Sequence, residues 1–213
     1  MTYLEIVNRV LRRLREAEVS TVSANTYSVL IGDLVNSIKD EVENSYNWSV
    51  LRQTLSATTS NNLFNYVLDG AGTRFKIIDV INDSSNWFME ERSLTWFNRN
   101  FLLATPQTGS PRYYNFNGVD ATGDTQVDVF PIPDGNYDLR FNVVLPQAEL
   151  VNDSDVIQVN AQLVVEGTLA RAISERGEDG GNQDVEARYR NMLADLIAIE
   201  AANRPDETIW YPK

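Results

Sequence analysis

The sequence predicts an α+β protein: a four-helix bundle of two N-terminal and two C-terminal helices, with a β-rich insertion and an extended C-terminal tail. Two observations lead to this prediction. Apolar residues recur at helical spacing over residues 1–47 and again over 153–203, whereas they alternate between 48 and 152, where turn residues cluster. A proline then ends the last helical pattern, so we expect residues 204–213 to form an extended arm.

The first helix has both a start signal and a charged outer face. Thr2 and Glu5 have the spacing of a capping box. The apolar stripe consists of Leu4, Ile6, Val7, Val10, Leu11 and Leu14. Arginines at 9, 12, 13 and 15 occupy much of the remaining surface. Such a face is solvated in a monomer and contacts acidic partners in an assembly, so Arg9, Arg12 and Arg13 are candidate interface residues.

The second helix is longer, and its outer face is acidic. The connector EVSTVSAN precedes this helix, and Ser23 within the connector is placed to cap it. Its apolar residues hold the helical period for about five turns, at Tyr27, Leu30, Ile31, Leu34, Val35, Ile38, Val42 and Tyr46. Asp40, Glu41 and Glu43 belong to the outer face. Two such helices joined by a short linker form an antiparallel pair.

The β-rich region is predicted to contain short strands separated by turns. The first strands are expected at Leu51–Thr59, Leu63–Leu68, Phe75–Ile81 and Arg112–Phe116. The segment Ser93–Leu103 lacks alternation and predicts a short helix. Later in the region, apolar residues alternate before and after Asp134-Gly135-Asn136, which has strong turn chemistry. We therefore predict a hairpin whose strands include Val127, Val129 and Ile132 on one side and Tyr137, Leu139, Phe141 and Val143 on the other.

Helical spacing returns after about residue 156. The third helix has an apolar stripe at Leu163, Val164, Gly167, Ala170 and Ile173. Gly177 is a plausible C-cap, and GEDGGNQD is predicted to be a loop. The fourth helix is defined by Val185, Tyr189, Met192, Leu193, Leu196 and Ile199, and Arg204-Pro205 is expected to stop it.

The composition excludes several classes of function. The 213 residues include no His and no Cys, which rules out a Ser-His-Asp triad, a Cys-His dyad and an ordinary zinc site. The net charge of -12 argues against tight binding to a phosphate backbone, which requires clustered Lys and Arg. It is compatible with a surface that DNA passes without being retained.

The remaining candidate sites have ordinary structural explanations. GAGTR and GEDGG lack the Lys and hydroxyl of a phosphate-binding loop. Glu90 and Glu91 would point to opposite faces of an extended chain. Asp120, Asp124 and Asp128 lack the spacing of an EF-hand and are expected in a solvated turn. The aromatic residues Trp87, Phe88, Trp96, Phe97, Tyr113 and Tyr114 are expected in the core. We therefore expect a protein with no catalytic site, cofactor or metal.

The sequence also bears on location. The segment MTYLEIVNRVLRRLREAE is charged throughout and lacks the apolar core of a signal peptide. No apolar run approaches the roughly 20 residues of a membrane span. We expect a protein of the host cytoplasm, or of a particle that is made there, with no membrane partner.

The order of the elements resembles a known family. The chain is similar to the head-to-tail connector adaptors of tailed bacteriophages, especially the tail tubular protein A type of short-tailed phages. The residues that carry the resemblance are YLEIVNRVLRRL, a second helix ending in SYNW, VDVFPIPDGNYDLRFNVVLP, ARAISERGEDGG and ARYRNMLADLIAIEAANRPDETIWYP. Another connector class, such as a stopper or a tail-completion protein, remains an alternative.

The resemblance implies a structural role in the virion, at the head–tail junction. Copies of the chain would form a ring, a dodecamer in this family, beneath the portal protein. The ring would extend the DNA channel and offer a platform to the tail nozzle protein. The arginines of the first helix and the acidic surfaces of the second and fourth helices are complementary sides for such a ring. A carbohydrate- or receptor-binding virion module and a metal-assisted hydrolase are the competing classes.

The arm contains large aromatic residues, which interfaces favour. Trp210 either covers the end of its own bundle or anchors another subunit. Connector adaptors commonly use their C-terminal segments to embrace the portal, and this resemblance favours the second reading. Ile209, Trp210 and Tyr211 are therefore candidate anchors for the portal or for an adjacent subunit.

Overall fold

The computed structural model of the protein describes residues 1–103, 105–177 and 179–202, and of residues 179–182 it describes the backbone. The helices in these ranges are α1 (Tyr3–Arg13), α2 (Thr26–Ser45), α3 (Leu94–Phe101), α4 (Ala161–Glu175) and α5 (Asp179–Ala202). The strands are β1 (Arg52–Thr58), β2 (Asn65–Val67), β3 (Lys76–Asn82), β4 (Trp87–Phe88), β5 (Glu90–Glu91), β6 (Tyr113–Val119), β7 (Thr125–Phe130) and β8 (Asp138–Val144).

The chain divides into two compact units. The helical unit comprises Met1–Leu51 and the chain from Pro146 onward, and the β unit comprises Arg52–Leu145. Helices α1, α2, α4 and α5 pack together, and the two sheets are inserted between α2 and α4 in the sequence. The predicted α+β class is therefore confirmed. Among the described residues no helix combines the length and the apolar character that a membrane crossing requires.

Most of the core of the helical unit comes from the predicted apolar stripes, but the prediction is wrong for Leu30 and Ile199, which are exposed. Its fully buried members include Ile6, Val7, Val10, Ile31, Val35, Leu163, Val164 and Val165. Burying each such side chain contributes roughly 1.5–3 kcal/mol, which offsets the entropy lost when the helices become ordered. Glycine allows close packing at Gly32, where an added Cβ would clash with the Tyr3 hydroxyl. Tyr3 of α1 thus contacts the backbone of α2 directly.

The helix starts are set by local hydrogen bonds. At α1 the predicted capping box is present: Thr2 Oγ1 accepts from the Glu5 amide, and Glu5 accepts from the Thr2 amide. The prediction that Ser23 caps α2 is wrong. Ser23 lies in a short 3₁₀ turn, Val22–Ala24, and Asn25 Oδ1 accepts from the Ser28 amide at 2.8 Å instead. Serine and asparagine both favour the N-cap position, and the 3₁₀ turn places the N-cap of α2 at Asn25, two residues after Ser23.

The junction between α4 and α5 differs from the prediction. The C-cap of α4 is Arg176, one residue before the predicted Gly177, and Gly177 follows it with a φ of 68°, the left-handed conformation in which many helices end. The predicted loop through GEDGGNQD is wrong, because α5 already begins at Asp179. Two glycines make this start unfavourable by about 1 kcal/mol each relative to alanine. Packing of the following turns against α4 outweighs that cost, as it commonly does in folded proteins.

The β unit is built from two four-stranded sheets. One has the order β1-β8-β3-β4, and the other has the order β2-β7-β6-β5. Both sheets contribute to one core, whose buried members are Leu68, Ala71, Val80, Met89, Tyr114, Val127, Val129, Leu139, Phe141 and Val143. Strand β5 pairs with β6 in parallel, and the other pairings are antiparallel. The predicted short helix is confirmed as α3, which is capped by Ser93 and buries Phe97.

The predicted hairpin across Asp134-Gly135-Asn136 is wrong. Strand β7 pairs with β2 and β6, whereas β8 pairs with β1 and β3, so the two strands belong to different sheets. Proline has no amide proton for a ladder, and Pro131 and Pro133 both follow β7. The chain therefore leaves one sheet and enters the other instead of folding back on β7.

Candidate interaction surfaces

The outer face of α1 exposes Arg9 and Arg12, and we call these two residues the arginine face. Arg12 lies 3.3 Å from Glu18, and both side chains are more than half exposed. Among the described residues, the only hydrogen-bond partner of the Arg9 side chain is the Met1 sulfur, which accepts from Arg9 at 3.4 Å. Exposed pairs of this kind contribute about 0–1 kcal/mol, so both guanidinium groups remain available to a partner.

Arg13, the third arginine of the sequence hypothesis, is engaged within the bundle. Its guanidinium binds Glu166 of α4 through two parallel hydrogen bonds, of 2.6 and 3.0 Å. Burial acts to raise the pKa of Glu166, but hydrogen bonding and charge attraction from Arg13 outweigh it and hold that pKa below its usual value. Arg13 therefore ties α1 to α4.

A groove beside α2 collects acidic side chains. It has a volume of about 470 Å³, and its lining includes Tyr3, Val29, Asp33, Glu149, Val151 and Asp153. We call it the acidic groove. Burial, followed by the charges of Asp33, Glu149 and Asp153, raises the pKa of Tyr3 to about 12. The three carboxylates thus act together on one buried hydroxyl.

The floor of the acidic groove is held by polar contacts across distant parts of the helical unit. Asn36 of α2 donates to the Leu150 carbonyl and accepts from its amide, both at 3.0 Å. Asp153 Oδ1 accepts from the Val22 amide at 2.9 Å. Backbone bonds join α1 to the same segment, since the Tyr3 amide donates to the Asp155 carbonyl. These contacts give the groove a fixed backbone.

Lys39 of α2 is fully buried and serves as a structural contact. Its Nζ donates to the Gln147 carbonyl at 2.7 Å and to Asp40 at 2.9 Å, and it lies 3.4 Å from Glu43. Burial raises the pKa of Glu43 although the nearby ammonium group acts in the opposite direction. The prediction that Glu43 belongs to the acidic outer face is therefore wrong, because its side chain is buried beside Lys39, whereas Asp40 stays partly exposed.

A second cavity, of about 410 Å³, lies between α2, α4 and α5. Glu41 is its central acidic group, because it pairs with Arg171 and accepts a hydrogen bond from the Tyr189 hydroxyl at 3.0 Å. Burial and this hydrogen bond raise the pKa of Tyr189 well above its ordinary value. The charges in this cavity are thus matched to one another within the bundle.

The expectation of a solvated turn holds for Asp120 but is wrong for Asp128, which lies within β7 and is buried. Asp120 accepts from the amides of Thr122 and Asp124, and these bonds, with the Thr122 hydroxyl first, hold its pKa below the usual value. Asp124 accepts from the Gly72 amide, and the buried Asp128 accepts from Asn65 and Asn117. Within the described ranges no cluster of three acidic or metal-ligating residues is arranged to hold a metal ion.

The aromatic residues of the β unit occupy varied positions. Phe97 and Tyr114 are buried, as expected for core residues. Trp96 packs on Phe130 with ring centroids 5.3 Å apart. Phe88 is 68% exposed, so the expectation that it lies in the core is wrong. Glu90 and Glu91 are exposed in β5, and Arg92 pairs with Glu90 at 2.7 Å.

Ile209, Trp210 and Tyr211 lie outside the described residues. The acidic groove was not predicted, because Asp33 is separated from Glu149 and Asp153 by more than a hundred residues. The acidic segment ELVNDSD was the available signal, although nothing local connects it to α2.

A family model described as SU10 adaptor protein matches residues 1–209, which include both the helical unit and the β unit. No curated protein matches the chain.

Proposed function

Because the chain belongs to the SU10 adaptor protein family, we propose that it forms a ring between the portal protein and the tail of a bacteriophage. Family membership implies a phage adaptor role, in the virion, and indicates a structural protein, not an enzyme. The match over residues 1–209 is the observation that carries the proposal.

The finer assignment follows the resemblance to tail tubular protein A of short-tailed phages. In this proposal, about twelve copies close into a ring through heterologous contacts, in which two different faces of neighbouring copies meet. The ring extends the DNA channel below the portal and receives the tail nozzle protein. The exposed arginines of α1 and the acidic groove support side-by-side packing, since they are oppositely charged.

Native mass spectrometry of the protein mixed with portal protein from the same phage tests this function. We expect one complex with about twelve copies of the chain on each portal ring, because a closed ring must match its template. The protein without portal is measured in parallel, since individual surface ion pairs are weak and assembly can depend on the template. One or three bound copies, or no complex, would contradict the proposal.

We also propose that Ile209, Trp210 and Tyr211 anchor the chain to the portal or to an adjacent copy. Residues 205–213 can span at most ~30 Å when extended, which is enough to reach a neighbouring molecule. Trp and Tyr are enriched among the residues that dominate binding energy in interfaces.

Deletion of residues 206–213 separates the anchor from a purely intrachain role. We expect a melting temperature close to that of the full chain and a loss of binding to portal rings. The matched control is the full chain with Lys213→Ala, which keeps the three anchor residues. A sharply lower melting temperature of the truncated monomer would show that the segment belongs to the protein's own core.

A further inference from the structure

The arginine face and the acidic groove lie on opposite sides of α1. Tyr3 lines the groove and packs on α2 at Gly32. Arg12 follows Tyr3 by nine residues, which is two and a half turns at about 3.6 residues per turn. It therefore projects from the face of α1 opposite to Tyr3. The two charged surfaces cannot meet within one copy of the chain.

The acidic groove has charge without local compensation. Its lining contains three carboxylates, Asp33, Glu149 and Asp153, and no Lys or Arg. Asp153 already accepts a hydrogen bond from the Val22 amide, whereas the carboxylates of Asp33 and Glu149 are exposed to solvent. Val29 and Val151 beside them are 41% and 74% exposed. A partner that fits this groove carries cationic groups on long side chains whose stems can cover the two valines.

The arginine face offers these cationic groups. Glu5 is the acidic residue nearest to it in α1, and the Glu5 carboxylate is engaged by the Thr2 amide at 2.9 Å. Glu18 contacts Arg12 only through an exposed pair at 3.3 Å. Arg9 forms no ion pair with any residue that the structure describes. The aliphatic stem of an arginine can also cover apolar surface such as that of Val29 and Val151.

We propose that the arginine face of one copy docks into the acidic groove of the next copy. The charge complementarity of two surfaces on opposite sides of α1 favours a second copy as the occupant. Such a contact is heterologous, because each copy presents one surface to each neighbour and the contact can repeat until the ring closes. The inference rests on the proposed function and names the surfaces that would build its ring.

Charge reversal tests the pairing. We expect Arg9→Glu with Arg12→Glu, and separately Asp33→Lys with Glu149→Lys, to reduce assembly on portal rings by about tenfold or more, because like charges then face each other. An equimolar mixture of the two variants should restore assembly. In alternating order, a reversed face meets a reversed groove, and a native face meets a native groove.

Two controls distinguish loss of this pairing from an effect of net charge or of misfolding. Arg74→Glu with Arg99→Glu makes the same change of charge at exposed positions of the β unit and should assemble like the wild type. Circular dichroism checks that each variant is folded. If each reversed variant assembles normally, or if the mixture fails to restore assembly, the inference is wrong. If the wild type itself does not assemble on portal, the proposed function fails, and this inference fails with it.

Cross-linking gives an independent measurement, because the chain contains no cysteine. Arg9→Cys and Asp33→Cys are introduced singly and together, and a short bismaleimide joins them, since an ion pair can separate Cα atoms further than a disulfide allows. In the presence of portal, the double variant should give a ladder of covalent multimers, and the mixed single variants should stop at dimers. Dimers of Arg9→Cys alone would show two arginine faces in contact and would overturn the pairing, as would the absence of a ladder.

Discussion

Single residues determine how closely the helices approach. At Gly167, an added Cβ would lie 2.8 Å from Ile38 Cγ2 and 2.9 Å from Tyr189 Cε2. Real Cβ atoms do not approach other atoms so closely, so α2 and α5 would have to move away from α4. Glycine at this position therefore allows three helices to pack around one point, in spite of its low helix propensity.

We predict that Gly167→Ala lowers the free energy of unfolding by about 1 kcal/mol. Overpacking costs about 1–3 kcal/mol, and the better helix propensity of alanine recovers only about 1 kcal/mol. Urea denaturation measures the change. Gly135→Ala is the matched control, because no atom lies within 4 Å of its added Cβ. An alanine variant at 167 as stable as the wild type would show that the helices adjust without cost.

The buried carboxyl group of Glu43 should make the stability of the protein depend on pH. Its pKa is raised by burial, so the folded protein holds this proton more tightly than the unfolded chain. The resulting stabilisation is fully present below the ordinary value of 4.5 and is lost as the pH rises through the raised pKa. We predict that the stability of the wild type relative to Glu43→Gln falls as the pH is raised from 4 to 7.

Urea denaturation of both proteins at a series of pH values measures this difference. Glutamine keeps the shape of the side chain but does not titrate, so changes shared by the rest of the molecule cancel. If the stability difference between the two proteins is constant, or if it shifts in favour of the wild type as the pH rises, the pKa of Glu43 is not raised in the folded protein.

At the scale of elements, one ion pair joins the N-terminal helix to the third helix of the bundle. Arg13 and Glu166 are separated by 153 positions in the sequence and form two hydrogen bonds. The Glu166 side chain is only 7% exposed, so removal of the arginine would leave a nearly buried carboxylate without its partner. The pair therefore reports directly on the contact between α1 and α4.

A double-mutant cycle with Arg13→Met and Glu166→Gln should give a coupling energy of about 1–3 kcal/mol at pH 7. The pKa of Glu166 is lowered, so this stabilisation is present above the ordinary value of 4.5 and is lost as the pH falls below it. The exposed pair of Arg92 and Glu90 is the control, with an expected coupling of at most about 1 kcal/mol. Equal coupling for both pairs would show that the Arg13–Glu166 pair stabilises the fold no more than an exposed ion pair does.

At the scale of the whole molecule, net charge governs how the protein meets DNA. The chain has 18 basic and 30 acidic residues, so its average field repels phosphates. A channel wall that bound DNA tightly would oppose its passage. The proposed role of a DNA channel is therefore compatible with this composition.

We predict that the protein does not retain duplex DNA in a gel-shift assay at sub-micromolar protein and physiological salt, because counterion release supplies little energy without clustered cations. The assay is repeated at low salt, where residual electrostatic binding is strongest. Retention at physiological salt would favour a DNA-binding role over passive passage.

Features that depend on neighbouring residues could be predicted from the sequence. The capping box at Thr2 and Glu5, most of the apolar stripes, the short helix α3 and the left-handed glycine that follows α4 all depend on patterns within a few positions. Helical and strand periods differ, so the α+β class was also predictable. These local preferences remain the same wherever the segment lies in the fold.

Contacts between distant segments depended on how the elements pack and could not be predicted from the sequence. The turn at Asp134-Gly135-Asn136 was recognised, but the sheet that β8 would join depended on pairing partners far along the chain. Arg13 looked like its exposed neighbours in sequence and became bound to Glu166, while Asp33 and Glu149 came together in the acidic groove. Contacts of this kind arise from the packing of whole elements, and a short stretch of sequence has no information about the surface that it will face.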